Sequence, residues 1–178
     1  LWTVLNPLLM MTVVTIVFST LFTRNIPHFP VYYLTGYILY NFCMTSARES
    51  MHSILSNFHL IKKIYVPKYM FCLSTVIVQF ITLLFSMLPL SLMMGILGVP
   101  LTPFVLLLPV PLLLLLIFTT GLSLILSAYA VYFRDLDHLF GIITTLWIYA
   151  TPVFYPITII PERFRFLWDL NPLHIYLT

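Results

Sequence analysis

The sequence predicts an all-α fold, a polytopic transmembrane helical domain, and three observations support this. Of the 178 residues, 61% are hydrophobic and 7% are charged, whereas an ordinary soluble domain has roughly 25% charged residues. No Asp, Glu, Lys or Arg occurs from residue 69 to residue 133. The apolar runs are continuous rather than alternating, and lipid admits only helices or closed barrels, so the spans are expected to be helices.

The first two apolar segments cover residues 2–22 and 31–47. The first is uncharged and is followed by "TRNIPHFP", in which an Arg and two prolines end it. The second is rich in Tyr and ends before Arg48 and Glu49. A bilayer core about 30 Å thick takes about 20 helical residues to cross, and the first segment has this length.

The next two segments share the long uncharged run, at residues 69–96 and 104–132. Between them lies "GILGVPLTP", where Gly98, Pro100 and Pro103 are expected to break the helix. A fifth segment, residues 139–155, is short for a full crossing and contains Pro152 and Pro156. The chain starts and stops inside apolar patterns, so we expect it to be a piece of a longer protein.

The distribution of basic residues predicts the orientation of the chain. The loop after the second segment carries Arg48, Lys62, Lys63 and Lys68, the densest group of cations. Cytoplasmic loops carry the excess of Lys and Arg, so this loop and the "FRDLDH" turn two segments later are expected in the cytoplasm. The net charge of +3 is too small and scattered to indicate nucleic-acid binding.

Residues 46–68 form the most informative polar stretch and predict an amphipathic helix on the membrane. Apolar residues recur at steps of three and four, and polar residues occupy the other faces. Ser46 or Ser50 is expected to cap its start and Pro67 to end it. Such a helix either anchors to anionic headgroups or docks another protein. The apolar set is Met51, Ile54, Leu55, Phe58, Ile61 and Tyr65.

The turn "VYFRDLDH" returns charge to the chain after the long uncharged run. Arg134 suits a helix C-terminus, and Asp135 or Asp137 suits the start of the next helix, so the turn has a purely structural interpretation. The alternative is that it offers a contact surface to a cytoplasmic partner.

Residues 147–173 combine four prolines with many aromatic side chains. The prolines prevent a regular helix, so the stretch is expected to dip into, or lie along, the outer face of the membrane. Its aromatic rings suit the membrane interface. The other interpretation is a gate or a lining, where rings can stack on sugars.

No motif for chemistry is present. The chain has no phosphate-binding loop of the G-x-x-x-x-G-K-[ST] kind, no nucleophile elbow and no H-E-x-x-H. We therefore predict no catalytic residue, cofactor or metal site, and we assign Cys43 and Cys72 to packing. A transport function would need energy from another protein.

The order of the motifs "LWTVLNPLL", "NFHLIKKIYVPK", "YFRDLDH", "WIYATPVFYP" and "NPL" resembles the membrane subunit of type-2 ABC exporters that move O-antigen, capsule or teichoic acid chains. The resemblance extends over nearly all of the chain. It implies a six-span permease in the bacterial plasma (inner) membrane, among membrane lipids, working with a second permease copy and separate ATP-binding subunits on a lipid-linked glycan. The chain would then be one permease domain, residues 1–178, without the N-terminal helix and the sixth span.

The resemblance also assigns roles to three groups of residues. It implies a coupling segment at residues 48–66 that contacts the ATPase, a cytoplasmic turn beside it, and an outer gate at residues 151–172. The coupling residues are Arg48, Glu49, His52, Ser53, Asn57, Lys62 and Lys63; the turn residues are Arg134, Asp135, Asp137 and His138; the gate and glycan-path residues are Tyr149, Thr151, Pro152, Phe154, Tyr155 and Pro156.

Two other functions stay open at this point. One is an ABC exporter of drugs or lipids on the same scaffold. The other is a membrane assembly or glycosyl-transfer protein that transports nothing, for which Asp135 and Asp137 are the only close pair of carboxylates outside the apolar segments.

Overall fold

The computed structural model describes residues 9, 29–57, 59, 63, 67–98, 107–133 and 135–150. Its four helices are α1 (Phe29–Ser56), α2 (Tyr69–Ile96), α3 (Pro109–Tyr132) and α4 (Leu136–Ala150). Within those ranges there is no β-strand, so the predicted all-α class is confirmed for the part of the chain that is described. The first predicted segment, residues 2–22, lies outside it except for Leu9.

Helices α2 and α3 are long and apolar enough to cross a membrane. Their 28 and 24 residues correspond to about 42 and 36 Å at the rise of an α-helix. Of their most apolar 18 residues, only 22% in α2 and 28% in α3 are buried inside the protein. An uncharged surface this exposed favours contact with lipid.

The ends of these two helices follow local sequence rules. α2 starts and stops where the sequence predicts, and Gly98, just beyond its end, has a left-handed φ of 65°. The Gly98 amide donates to the carbonyl oxygen of Gly95 at 3.4 Å, which closes the last turn. α3 begins at Pro109, a position where the missing amide proton of proline costs nothing.

Helix α1 differs from the prediction because it does not stop at Ala47. It continues without a break to Ser56, so Ser46 and Ser50 lie inside the helix and their predicted role as N-caps is wrong. Arg48 and Glu49 end the apolar run, but both are compatible with a helical backbone, so the change of polarity does not end the helix. At 28 residues, α1 is about 42 Å long.

The chain divides into two compact units. The first consists of Leu1–Tyr40, Leu83–Val105 and Leu146–Thr178; in it, the rings of Tyr33 and Tyr37 stack at 5.7 Å. The second consists of Asn41–Thr82 and Leu106–Thr145.

In the second unit, α1 packs on both α2 and α3. The rings of Phe42 and Phe80 meet edge to face at 5.8 Å. The thiol of Cys43 lies next to the hydroxyl of Thr119, although the two do not reach the geometry of a hydrogen bond. Cys43 and Cys72 are buried free thiols, in agreement with the packing role assigned to them.

Candidate functional site at the end of α1

The last turns of α1 are amphipathic, as predicted, and their apolar face packs against the protein itself. Met51 and Ile54 are 1% and 8% exposed, whereas Arg48, Glu49 and His52 are exposed on the opposite face. The sequence predicts a helix lying on the membrane, with these apolar side chains facing it. In the structure they are buried inside the protein instead. The apolar pattern fixes the exposed face of α1 by burying the other one.

Two predicted coupling residues donate side-chain hydrogen bonds within the last turns of α1. The Asn57 side-chain amide donates to the carbonyl oxygen of Ser53 at 2.8 Å, and the Ser53 hydroxyl donates to that of Ser50 at 2.8 Å. Both side chains are partly buried. Side-chain donors of this kind add to the backbone hydrogen bonds of a helix, as at Ser53 O, which also accepts from the Asn57 backbone amide at 3.3 Å.

Three charged or titratable side chains meet on the exposed face of α1, and we call Arg48, His52 and Asp137 the ion cluster. Arg48 donates from Nε to Asp137 Oδ1 at 3.1 Å and from NH2 to Asp137 Oδ2 at 3.5 Å. His52 Nε2 lies 3.2 Å from Asp137 Oδ1. Arg48 and His52 are four residues apart and so lie one above the other on the helix.

The turn between α3 and α4 presents Asp137 to α1. Phe133 is extended, and its amide donates to Tyr129 O at 2.9 Å, which ends α3. The carbonyl oxygen of Asp135 accepts from the Leu139 amide at 3.1 Å, so Asp135 occupies the N-cap position of α4. Asp137 lies in the first turn, where the helix dipole favours a carboxylate. Both aspartates thus lie at the start of α4, where the structural interpretation expects them.

The neighbours of Asp137 favour its ionised form. The hydrogen bond from Arg48 is the main cause that lowers the pKa of this carboxyl; partial burial opposes it, and the charges of Arg48 and His52 assist it. The Arg48 side chain is 54% exposed and that of Asp137 is 28% exposed. Exposed pairs contribute about 0.2 to 1 kcal/mol to stability, so the cluster matters more for orientation than for stability.

The ion cluster bears on the glycosyl-transfer alternative. A general acid or base needs a pKa near the working pH and access to substrate. Asp137 has the opposite properties, since its pKa is lowered and both its oxygens are occupied by Arg48 and His52. The arrangement is suited to holding two helices in register.

The other predicted site residues are only partly described. Glu49, Lys63, Asp135 and His138 are exposed. Lys62 and Arg134 lie outside the described residues, and so do all gate positions from Thr151 onward. Tyr149 lies in α4. The described residues contain no group of three or more side chains that could hold a metal ion.

Sequence reasoning missed the contact between the two polar regions, which it treated as separate sites. The spacing of 89 residues between Arg48 and Asp137 gives no sign that they meet. One signal was present: both lie in regions assigned to the same side of the membrane, in a chain with few charges.

Comparison with known proteins places the chain in a family. It is 38% identical over 176 residues to the O-antigen export system permease protein RfbA of Myxococcus xanthus. The aligned region covers 97% of this chain and 67% of that relative. A protein of the same name from Klebsiella pneumoniae is 30% identical over 174 residues, with the same coverage. Residues 1–178 also match the family described as ABC-2 type transporter. The chain therefore belongs to the ABC-2 type transporter family, as its motifs indicated.

Proposed function

We propose that the chain is the permease subunit of an ATP-driven exporter that moves a lipid-linked polysaccharide, such as O-antigen, across the plasma (inner) membrane. The observation that carries the proposal is the similarity to O-antigen export permeases along 97% of the chain. As a member of this family the chain is a transport subunit, and ATP hydrolysis belongs to a separate ATP-binding subunit. The apolar surfaces of α2 and α3 are consistent with a place in the membrane.

The architecture that we propose goes beyond the described residues. The five apolar segments of this chain belong to a six-span, multi-pass protein, and two permease copies form the path for the glycan. Residues 151–172 form the outer gate of that path. The low charge of the apolar segments supports a path for a large, mostly uncharged sugar chain.

Residues 48–66 are proposed to couple the permease to its ATP-binding partner. The exposed face of α1 supports this, because Arg48, Glu49 and His52 offer polar contacts there while Met51 and Ile54 hold the helix to the protein. The turn with Arg134, Asp135, Asp137 and His138 lies on the same, cytoplasmic side. ATP binding closes the partner subunits, the movement passes through the coupling segment, and the two permease copies separate.

The test changes the exposed face alone and leaves the buried face intact. In Glu49→Lys plus Ser56→Lys, charge is added at two exposed positions while Met51 and Ile54 are kept. The matched control is Lys68→Glu, a charge change at an exposed position just before α2 and outside the coupling segment. The permease and its ATP-binding subunit are placed in vesicles that contain a lipid-linked glycan, and co-purification and ATP-dependent export are measured.

We expect the double variant to lose the ATP-binding subunit and export, and the control to retain both. If the double variant binds and exports like the wild type, the coupling role is wrong. If the wild-type complex hydrolyses ATP and exports small drugs or lipids but no glycan, the proposed substrate is wrong and the other exporter function takes its place.

A further inference from the structure

From the ion cluster we infer that Arg48, His52 and Asp137 clamp the end of α1 to the start of α4, so that force applied to α1 moves both helices together. This inference rests on the proposed function, since it needs a partner that acts on the end of α1. Asp137 is then a positioning residue that transmits movement and does not itself contact the partner or the glycan.

The geometry of the cluster supports a directional link. The planar guanidinium of Arg48 faces both oxygens of Asp137, at 3.1 and 3.5 Å, and this paired arrangement fixes orientation as well as distance. His52 Nε2 adds a contact to Asp137 Oδ1 at 3.2 Å, one helical turn further along α1. Two points on α1 are thus tied to one point on α4, which resists rotation of α1 about its own axis.

The packing on the opposite side of α1 supports the same conclusion. Cys43 lies against Thr119 of α3, and the adjoining small residues Ser46, Ala47 and Ser50 are fully buried. Small side chains allow helices to approach closely, and a close-packed contact does not deform gradually. The hydroxyls of Ser46 and Ser50 have no hydrogen-bond partner, so packing is their contribution.

These two contacts leave α1 little freedom to move alone. Its buried face is packed against neighbouring helices, and its exposed face is tied to Asp137. α4 runs from this tie to Ala150. A push on the end of α1 therefore has a direct route into α4.

The experiment uses substitutions of Asp137 in the assembled transporter. The variants are Asp137→Asn, Asp137→Arg and the conservative Asp137→Glu. Lys68→Gln, at an exposed position outside the coupling segment, controls for the loss of one charge. Three quantities are measured: co-purification of the ATP-binding subunit, ATP hydrolysis, and glycan exported per ATP hydrolysed.

We expect Asp137→Asn and Asp137→Arg to keep the partner and its hydrolysis but to lower export per ATP several-fold, with the larger loss for Arg. Asp137→Glu should keep export per ATP to within about threefold of the wild type, since it retains a carboxylate for Arg48 and a favourable charge in the first turn of α4. Normal export per ATP in both Asp137 variants would overturn the inference. So would loss of the partner in Asp137→Asn, because Asp137 would then belong to the docking surface.

A second measurement does not depend on export. Spin labels at Ser56 of α1 and His138 of α4, both exposed, report the distance between the two helix ends in a Cys43→Ala, Cys72→Ala background. We expect a narrow distance distribution that broadens in Asp137→Asn and stays narrow in Asp137→Glu. An unchanged distribution in Asp137→Asn would refute the clamp, even if the wild type exported no glycan and the proposed function itself failed.

Discussion

The end of α2 permits a clean test of backbone strain, through replacement of Gly98 by Ala. Gly98 has a φ of 65°, and a Cβ built there would meet nothing within 4 Å. The substitution therefore changes backbone energy and creates no steric clash. A left-handed conformation destabilises an L-residue by roughly 1 to 2 kcal/mol. Alanine also has less conformational freedom than glycine in the unfolded chain, and this stabilises the folded state by about 0.4 to 1 kcal/mol.

The net expectation is a destabilisation of about 1 kcal/mol for Gly98→Ala. Gly121→Ala is the matched control: it lies within α3, and a Cβ there also meets nothing within 4 Å. Since glycine weakens a helix interior, the control should stabilise the protein by about 0.5 to 1 kcal/mol. Gly98→Asn should lose less stability than Gly98→Ala, because Asn tolerates the left-handed region.

The assay is reversible unfolding in mixed detergent micelles, with the free energy of unfolding compared among the three variants. Opposite signs for the two alanine variants would support the reasoning. If Gly98→Ala is at least as stable as the wild type while Gly121→Ala gains stability, then strain at Gly98 does not define the end of α2.

Three further predictions concern the described packing and charge. The pKa of Asp137 is lowered in the folded protein, so ionised Asp137 stabilises the fold fully above the ordinary carboxyl pKa of 3.8, and this stabilisation is lost as the pH falls through the lowered pKa. In Asp137→Asn, the free energy of unfolding should therefore fall less steeply at acid pH than in the wild type. An equally steep fall in both proteins would contradict this prediction. Ser46→Ala removes a buried hydroxyl that has no hydrogen-bond partner, so the free energy of unfolding should stay the same or rise by up to about 1 kcal/mol. Ser46→Leu should lower it by about 1 to 3 kcal/mol, because the larger side chain overpacks the site. A Leu variant more stable than the wild type would refute the close packing. Met51→Ala should lower the free energy of unfolding by about 2 to 5 kcal/mol, because the Met51 side chain is 1% exposed. Ile117→Ala should lower it much less in the same detergent assay, because Ile117 is 68% exposed. Equal losses of stability would show that Met51 is not a core residue.

The sequence predicts the membrane-crossing helices well because their signal is strong and local. The absence of charge from residue 69 to residue 133 identifies two helices, and Gly98 marks the end of the first. The end of α3 at Tyr132 also agrees with the return of charged residues. Hydrocarbon excludes charge and requires internal hydrogen bonds, so composition and helix breakers are sufficient here.

The sequence is less informative where α1 leaves the apolar run. Polarity changes at Arg48, but a change of solvent does not break backbone hydrogen bonds, and α1 continues to Ser56. The same amphipathic pattern fits a helix on lipid and a helix on protein, because both bury one apolar face. Only the burial of Met51 and Ile54 in the folded protein distinguishes the two, and the local sequence does not give that burial.

The ion cluster follows from the scarcity of charge in this chain. With 8 basic and 5 acidic residues in 178, and none inside the long uncharged run, each charged side chain has few possible partners of opposite charge. A carboxylate in the α3–α4 turn therefore has few partners within reach, and Arg48 and His52 lie on the helix next to it. Because the pair is exposed, its loss should cost little stability. For that reason we expect Asp137 to influence how movement passes between helices far more than whether the permease folds.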